Sequence, residues 1–293
     1  MKIIHCADLH LDSKMTANLS KEQAKERKME ILRTFSRMVD YAAKNGVRVV
    51  IIAGDLFDTR NVSATARNLV RDTILQHPHI DFLYLKGNHD YDNFLSKLDE
   101  IPENLKLFED SWKSYSYGNV VISGLELSKE NQVTAYNSLV LDHGVYNVVT
   151  LHGQITDYGI KDKAEIINLD SLKNKNIDYL ALGHVHEYQA GQLDARGVYC
   201  YSGCLEGRGF DECGDKGFVL CKHLHRGVDV AVVWCLLFIV VAYHVTQIKY
   251  HIYVVDGKFA EQVLHLLRFV VTVVGKQERE TFLFGVECCE MLP

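Results

Sequence analysis

Polar side chains suited to metal binding or acid–base chemistry follow several apolar runs of this sequence, where each run stops. Five segments share the arrangement, most of them with a glycine: Asp8-Leu9-His10, Gly54-Asp55 with Asp58, Gly87-Asn88-His89-Asp90, His152-Gly153 and Gly183-His184-Val185-His186. Carboxylate, imidazole and amide oxygen groups are the ligands that hard-to-borderline divalent cations take in proteins. The residue types therefore predict a centre with two divalent metal ions.

Two of these segments carry their polar residues at alternate positions. Alternate side chains lie on one side of an extended segment, so Asp8 with His10, and His184 with His186, are each expected to face a common ion. Asp55 is the natural bridging ligand, because one carboxylate has two oxygens. Two ions about 3.5–4 Å apart would clamp a phosphate group and generate hydroxide from water near neutral pH.

Each segment also has an ordinary structural explanation when it is taken alone. Asp8 is typical of a strand-end cap, His152 of a hydrogen-bonded loop histidine, and Asp58 of a loop or helix-entry carboxylate. Gly-Asn-His-Asp is typical of a turn, since Asn and Gly tolerate left-handed backbone. The recurrence of all five directly after apolar runs favours the metal centre over separate coincidences.

β-Strands must bring these polar residues to one edge of a sheet, and short apolar runs in the sequence predict such strands. Six runs, most of them continuous as in strands buried on both faces, are predicted strands: KIIHC, VRVVIIA, IDFLYL, NVVISG, YNVVTL and IDYLAL. A helix is predicted over 20–45, where Ser20 and Gln23 form a capping box and Gly46 follows the end. A second helix is predicted from Ser63. This alternation indicates a layered α/β protein whose site lies at the carboxyl ends of the strands.

The motif series resembles the calcineurin-like metallophosphoesterases, and CADLHLDS, AGDLFD, LKGNHD and LALGHVH resemble most the SbcD-type DNA repair nucleases. The likeness covers 1–220, including YSGCLEGRGFDECGDKGFVL near its end. It implies an α/β fold, a four-layer α/β/β/α sandwich of two mixed sheets flanked by helices. It implies one metal on Asp8, His10, Asp55 and His186, and a second on Asp55, Asn88, His152 and His184. Manganese is the metal that the nuclease branch implies, with Mg²⁺, Fe²⁺ and Zn²⁺ as alternatives.

The resemblance also gives a part to the residues that are not ligands. His89 would lie over the site and donate a proton to the leaving oxygen or stabilise the transition state. Asp58 is the candidate that orients His89, as in the Asp–His pairing of related phosphatases. Three arginines could face a phosphate backbone, although their spacing also fits a solvated helix face: Arg60, Arg67 and Arg71. Two tyrosines are candidates for shaping a substrate groove: Tyr91 and Tyr201.

Three functions are weighed. The leading one is a manganese-dependent phosphodiesterase that hydrolyses DNA, as an exo- or endonuclease in repair. The second is an enzyme acting on small phosphodiesters or phosphomonoesters, and the third is a non-catalytic scaffold or membrane-associated partner. A net charge of −6 argues mildly against coating nucleic acid with surface charge, although bound metals reverse the sign locally.

Composition changes near Leu220 and divides the chain into a phosphoesterase region, 1–220, and an atypical hydrophobic tail, 221–293. Val230–Tyr243 is an unbroken run of fourteen apolar residues, shorter than the ~20 that span a bilayer. The tail is interpreted as a capping-region remnant or as the product of a shifted reading frame. With this tail, docking of an SbcC-type coiled-coil ATPase is doubtful, and a homodimer is implied only by resemblance.

The cysteines and the N-terminal residues give information on the cellular compartment of the protein. The eight cysteines form no C-x-x-C pair, which is typical of reduced thiols in a cytoplasmic protein. The first ten residues have a short apolar stretch that does not fit a signal peptide. A cytoplasmic location is therefore predicted.

Overall fold

The computed structural model describes residues 1–222, apart from 16–18, 60, 91–93, 99, 156–165 and 210–211, and beyond them only three strands. The helices are α1 (Lys21–Lys44), α2 (Ala64–Gln76) and α3 (Gln132–Ser138). The strands are β1 (Ile3–Cys6), β2 (Val49–Ala53), β3 (Asp81–Leu85), β4 (Leu105–Leu107), β5 (Lys113–Tyr117), β6 (Val120–Gly124), β7 (Tyr146–His152), β8 (Gln154–Ile155), β9 (Ile166–Ile167), β10 (Tyr179–Gly183), β11 (Gln189–Gln192), β12 (Val198–Tyr201), β13 (Val219–Cys221), β14 (Val230–Val232), β15 (Tyr250–Val254) and β16 (Arg268–Val271). Within these ranges, none of the helices has the length and apolarity that crossing a bilayer requires.

Two mixed sheets build the described fold. The first has the order β16-β15-β14-β13-β1-β2-β3-β4, in which β1 to β4 are parallel and β13 runs antiparallel to β1. The second has the order β11-β12-β10-β7-β6-β5, with β6, β7, β10 and β12 parallel. All six strands predicted from apolar runs are present, as β1, β2, β3, β6, β7 and β10.

The sheets pack face to face and helices cover the outside. Side chains such as Val49, Ile51 and Leu83 of the first sheet meet Val148 and Ala181 of the second in a shared core. A second core lies between the first sheet and helices α1 and α2, and a third covers the far face of the second sheet beside α3. The four-layer α/β/β/α sandwich that the family resemblance implies is confirmed.

Helix α1 shows how local sequence signals and burial agree. Ser20 accepts a hydrogen bond from the backbone of Gln23, and the Gln23 side chain accepts one from the Ser20 backbone, which completes the predicted capping box. Gly46 follows the helix with φ +65°, a left-handed conformation that glycine adopts without strain. An apolar stripe of the helix is buried against the first sheet's core: Leu32, Phe35, Met38, Val39 and Ala42. Burial of each larger side chain contributes about 1.5–3 kcal/mol.

Beyond residue 222 the described backbone continues the first sheet. Strand β14 pairs antiparallel with β13, and β15 and β16 follow in turn. Most of the apolar run at 230–243, and with it the interpretation of the tail, lies outside the described residues. The division at residue 220 stays a prediction.

Candidate metal centre

The carboxyl ends of five strands meet at one edge of the sandwich. Strands β1, β2 and β3 are parallel neighbours in the first sheet, and β7 and β10 are parallel neighbours in the second. The loops that follow them carry the polar residues singled out in the sequence. Since parallel strands end together, side chains far apart in the chain converge there.

The backbone of this edge is strained at the polar residues. Asp8, His10, Asp55 and His184 have φ values of 53°, 45°, 54° and 101°. Side chains larger than glycine rarely adopt such angles, and each one costs on the order of 1–3 kcal/mol. Hydrogen bonds from Asp8 N to Gly54 O (3.1 Å) and from His10 N to Asp55 O (2.9 Å) hold two of the loops together. The expectation of an extended Asp8-x-His10 segment was wrong: left-handed backbone at both residues, not strand alternation, brings the side chains together.

A first cluster joins Asp8, His10 and His186, whose ligand atoms lie within 4.8 Å of one another. The Nε2 atoms of His10 and His186 are 3.1 Å apart. The Nδ1 atom of His186 lies 2.6 Å from Oε1 of Glu212, and a carboxylate only accepts, so this Nδ1 carries the proton. His186 Nε2 is therefore the ring nitrogen left to bind a metal, and it faces an imidazole nitrogen of His10.

A second cluster joins Asp8, Asp55 and His152. His152 Nδ1 donates to Ala53 O at 2.9 Å, because a carbonyl oxygen can only accept. Its Nε2 then faces Asn88 Oδ1 at 3.0 Å and Asp55 Oδ2 at 3.5 Å, which are both acceptors. Burial would lower the pKa of His152, but its contact with Asp55 outweighs burial and raises the pKa to about 9. Positive charge beside His152 Nε2, whether from a proton or from a bound cation, is therefore stabilised by the surrounding acceptors.

Asp55 lies between the two clusters. Its Oδ2 is 3.7 Å from His10 Nε2 and 3.5 Å from His152 Nε2. Asp55 is 2 % exposed. Burial opposes its ionisation, yet the contacts with His152 and His10 bring its pKa down to about 2. Carboxylate oxygens and imidazole nitrogens that are mostly buried, together with the amide oxygen of Asn88, face each other here, and these ligand types fit divalent metal ions.

His184 takes a more peripheral place than the other histidines. Its backbone N–H lies 3.0 Å from both Asp8 carboxylate oxygens, and its ring centroid is 5.4 Å from that of His152. Burial and the neighbouring His152 lower its pKa to about 4, so the ring is neutral and keeps a lone pair. The ring of His184 is outside the carboxylate–imidazole clusters found among the described residues.

His89 and Asp58 form a pair at the mouth of the site. His89 Nδ1 lies 2.9 Å from Asp58 Oδ1, and the His89 side chain is 46 % exposed. Ser13 Oγ donates to Asp58 Oδ2 at 2.5 Å. The hydrogen bond with Asp58 raises the pKa of His89 above its ordinary value, although partial burial opposes it. A protonatable imidazole next to solvent and beside the metal-binding clusters can deliver a proton to a bound group.

Three residues that contact this site had no role predicted from the sequence. Asp90 accepts hydrogen bonds from the backbone N–H groups of Leu56, Phe57 and Gly87, and so ties the loop after β2 to the loop after β3. Burial and the nearby Asp55 raise the pKa of Asp90 to about 6. Its position next to His89 in LKGNHD was the available signal. Glu212 and Arg208, which contact His186 and Asp58, lie in the segment YSGCLEGRGFDECGDKGFVL that carries part of the likeness, but no spacing in it pointed to the site.

Other candidate residues have different places. Tyr201 is 2 % exposed, and its hydroxyl donates to Gly153 O and accepts from Ile155 N, both at 2.8 Å. The Tyr201 side chain stabilises the loop after β7 from inside the protein, so the prediction that it shapes a substrate groove was wrong. Arg67 and Arg71 lie on helix α2, where Arg71 pairs with Asp72 at 2.7 Å. Two candidates lie outside the described residues: Arg60 and Tyr91.

Comparison with protein families agrees with this geometry. The model of the calcineurin-like phosphoesterases matches residues 1–188. The chain therefore belongs to the calcineurin-like phosphoesterase family, a class of hydrolases. A dimetal phosphatase from Danio rerio has a similar fold, with a TM-score of 0.51 and 12 % identity over 79 % of this chain and 94 % of that one.

Curated proteins similar to this chain include metallophosphoesterases and DNA repair proteins. An uncharacterised metallophosphoesterase of Bacillus subtilis, YhaO, is 28 % identical over 78 % of this chain and 58 % of its own length. The DNA double-strand break repair protein Mre11 of Saccharolobus solfataricus is 29 % identical over 64 % of this chain and 49 % of its own. The SbcD component of the nuclease SbcCD of Staphylococcus epidermidis is 24 % identical over 64 % of this chain and 57 % of its own. The chain spans about half the length of these relatives, and the predicted likeness to SbcD-type proteins is confirmed.

Proposed function

We propose that this chain is a metal-dependent phosphodiesterase that hydrolyses DNA, as an exo- or endonuclease in DNA repair. The observation that carries the proposal is the His89–Asp58 pair, 2.9 Å across, at the mouth of a site where buried lone pairs converge. A phosphodiester needs its charge stabilised and its leaving oxygen protonated. The similarity to Mre11 and to the SbcD component of SbcCD, a repair protein and a nuclease by name, supports DNA as the substrate.

The proposed ligand sets are those that the resemblance implies. One ion would be held by Asp8, His10, Asp55 and His186, and the other by Asp55, Asn88, His152 and His184. The position of Asp55 between the clusters supports its part as the bridge. Manganese is the proposed metal, as the resemblance to the nuclease branch implies, and carboxylate, imidazole and amide oxygen ligands without thiolate are compatible with it. When bound, the two ions would supply Lewis-acid stabilisation of the phosphate charge.

The other steps belong to residues of the chain. Asp58 accepts from His89 Nδ1 and leaves Nε2 to carry the proton that the leaving oxygen takes up. The hydroxyl of Ser13 on the second Asp58 oxygen limits rotation of this carboxylate. Asp90 ties the loop of Asp58 to the loop of His89, since it accepts hydrogen bonds from Leu56 N in the first loop and from Gly87 N in the second.

The proposal is tested by hydrolysis of an aryl phosphodiester and its monoester, with and without Mn²⁺, followed by linear DNA. We expect manganese-dependent cleavage of the diester and of DNA. His89→Leu should lower kcat by about 10²–10⁴-fold, the usual contribution of a positioned acid, while Mn²⁺ binding persists. His143→Leu is the control, because His143 also lies beside an aspartate, Asp142 at 3.6 Å, but is 81 % exposed. Equal turnover of His89→Leu and wild type would contradict the assignment.

Asp58→Asn tests the orienting pair. We expect turnover to fall by as much as about 10²-fold, because a misplaced acid loses alignment with the leaving oxygen. The Asp58 carboxylate raises the pKa of His89, so its removal lowers that pKa and moves the alkaline fall of kcat/KM to lower pH. A pH–rate profile measures both effects, with Asp142→Asn as the control. An unchanged turnover and profile would show that the pairing is unimportant.

A second candidate function, hydrolysis of small phosphodiesters or phosphomonoesters, is favoured by the acidic net charge of −6. Cleavage of the aryl diester without any cleavage of linear DNA would support it. A coiled-coil ATPase partner of the SbcC type, a homodimer and a cytoplasmic location are proposals that rest on the resemblance. Co-purification with such an ATPase would test the first of them.

A further inference from the structure

The segment that follows β12 reaches the metal centre although it lies beyond the residues that the family model matches. An isolated parallel bridge between Ala7 and Cys204 brings it alongside the loop after β1. Cys204 N also donates to His186 O at 3.2 Å. Two charged residues of this segment, Arg208 and Glu212, therefore lie next to the histidines of the site.

Glu212 holds the ring of His186. Its Oε1 lies 2.6 Å from His186 Nδ1, and the Glu212 side chain is 10 % exposed. The contact sets the tautomer of His186, with the proton on Nδ1 and the lone pair of Nε2 toward His10. Burial opposes the ionisation of Glu212, but hydrogen bonds from His186 and Arg208 outweigh it and hold the pKa well below its usual range.

Arg208 joins two carboxylates that each orient a histidine. Its Nη2 donates to Glu212 Oε1 at 2.7 Å and its backbone N–H to Glu212 Oε2 at 2.8 Å. Its Nη1 lies 3.3 Å from Asp58 Oδ2. The carboxylate partners of His186 and His89 are thus connected through one guanidinium, whose planar fork can serve both at once.

Helix α1 fixes this segment from the other side. Arg27 Nη2 donates to Glu206 Oε1 at 2.8 Å and to Gly207 O at 2.7 Å. Thr34 Oγ1 donates to Glu206 Oε2 at 2.9 Å. The backbone directly before Arg208 is therefore tied to a long, well-packed helix, which limits where its guanidinium can lie.

We propose that Glu212 and Arg208 are positioning residues of the metal centre. Glu212 fixes His186 with Nε2 toward His10, where it would hold a metal ion, and Arg208 couples Glu212 to Asp58, so that His186 and His89 are oriented as one unit. The inference rests on the proposed function. Arg208 differs from a substrate-binding arginine because carboxylates of the chain already occupy both ends of its guanidinium and neutralise it.

Glu212→Gln tests the first part, since it keeps the size of the side chain and removes the charge. Outer-shell partners of ligating histidines contribute about 10–100-fold to metal affinity. We therefore expect the Kd for Mn²⁺, measured by isothermal titration calorimetry on the full chain, to rise by about 10–100-fold at one of two sites. The visible absorption spectrum of the Co²⁺-loaded protein should change as well, because a reoriented His186 alters the ligand field.

Arg208→Gln and Arg208→Lys test the coupling. With an aryl phosphodiester we expect Arg208→Gln to lower kcat with KM unchanged, and Arg208→Lys to restore only part of kcat, because an ammonium cannot bridge both carboxylates. Arg196→Gln is the matched control: Arg196 binds Asp178 with two hydrogen bonds of 2.9 and 2.8 Å at the amino end of β10, away from the site. Its Mn²⁺ affinity, Co²⁺ spectrum and kcat should equal those of wild type.

The outcomes separate this inference from the proposed function. Wild type that binds no Mn²⁺ would overturn both. Wild type that binds Mn²⁺, with an unchanged Kd and Co²⁺ spectrum in Glu212→Gln, would overturn the inference alone. A raised KM with unchanged kcat in Arg208→Gln would make Arg208 a substrate-binding residue and overturn its positioning role.

Discussion

Asp55→Asn is expected to lower the kcat of phosphodiester cleavage by roughly 10³-fold and to remove bound Mn²⁺. The carboxylate oxygen Oδ2 lies 3.7 Å from His10 Nε2 and 3.5 Å from His152 Nε2, so both proposed sites lose a ligand when its charge is removed. Lewis-acid stabilisation is worth several kcal/mol, and about 4 kcal/mol corresponds to roughly a 10³-fold fall in kcat. The measurements are Mn²⁺ content after equilibrium dialysis and turnover of an aryl phosphodiester.

A stability measurement gives an independent check of Asp55. A ligand present at about 100 times its Kd stabilises the folded state by about 2.7 kcal/mol, so Mn²⁺ should raise the Tm of wild type but not of Asp55→Asn. Asp178→Asn is the control, since Asp178 is also a buried aspartate, 9 % exposed, but pairs with Arg196 at the other end of β10. Two bound Mn²⁺ ions and an unchanged shift of Tm in Asp55→Asn would rule out the bridging role.

Gly183→Ala should damage stability and metal binding together. A Cβ at this position would collide with Ala53 O of the opposite sheet and would lie 2.8 Å from His152 Nδ1 and 2.9 Å from Ala7 Cβ. The two sheets approach each other closely at this edge, and backbone of β2 cannot yield as a flexible side chain can. The hydrogen bond of 2.9 Å from His152 Nδ1 to Ala53 O lies in the same space, so His152 must shift.

Overpacking of this kind lowers the free energy of unfolding by about 1–3 kcal/mol, and each kcal/mol lowers the Tm of a domain of this size by about 2–4 °C. Denaturant unfolding and Mn²⁺ titration of Gly183→Ala measure the two effects. Gly144→Ala is the control, because the nearest atom that a Cβ there would meet belongs to the Asp142 side chain, at 3.2 Å. If Gly183→Ala had the same stability and Mn²⁺ affinity as the wild type, the prediction would be wrong, because the two sheets could then move apart at this edge without any effect on the site.

The strands whose ends form the metal centre could be predicted from the sequence, whereas several other strands could not. Strands β1, β2, β3, β7 and β10 are predominantly apolar and buried along their whole length, and such runs stand out in a sequence. Strand β5, KSYSY, alternates between half-buried and exposed positions, and β11, QAGQ, is mostly exposed at the edge of the second sheet. Their pairing partners, not their composition, make them strands.

The residue types of the metal centre were also evident from the sequence alone, since Asp, Asn and His recur after apolar runs beside glycine. The family resemblance added the partner of His89, and the structure places Asp58 Oδ1 2.9 Å from it. What the sequence determined is therefore local: which runs form strands, where α1 and α2 begin, and which side chains stand at the strand ends.

Tertiary structure decided the contacts that surround those side chains. Glu212 is 26 residues from His186, and Arg208 is 150 residues from Asp58 (208 − 58), and no local pattern links either pair. They meet because the segment after β12 crosses from the second sheet to the loop after β1 and is held there by helix α1. Left-handed backbone at Asp8 and His10 likewise follows from hydrogen bonds between loops of different strands, which only the packed sandwich brings within reach.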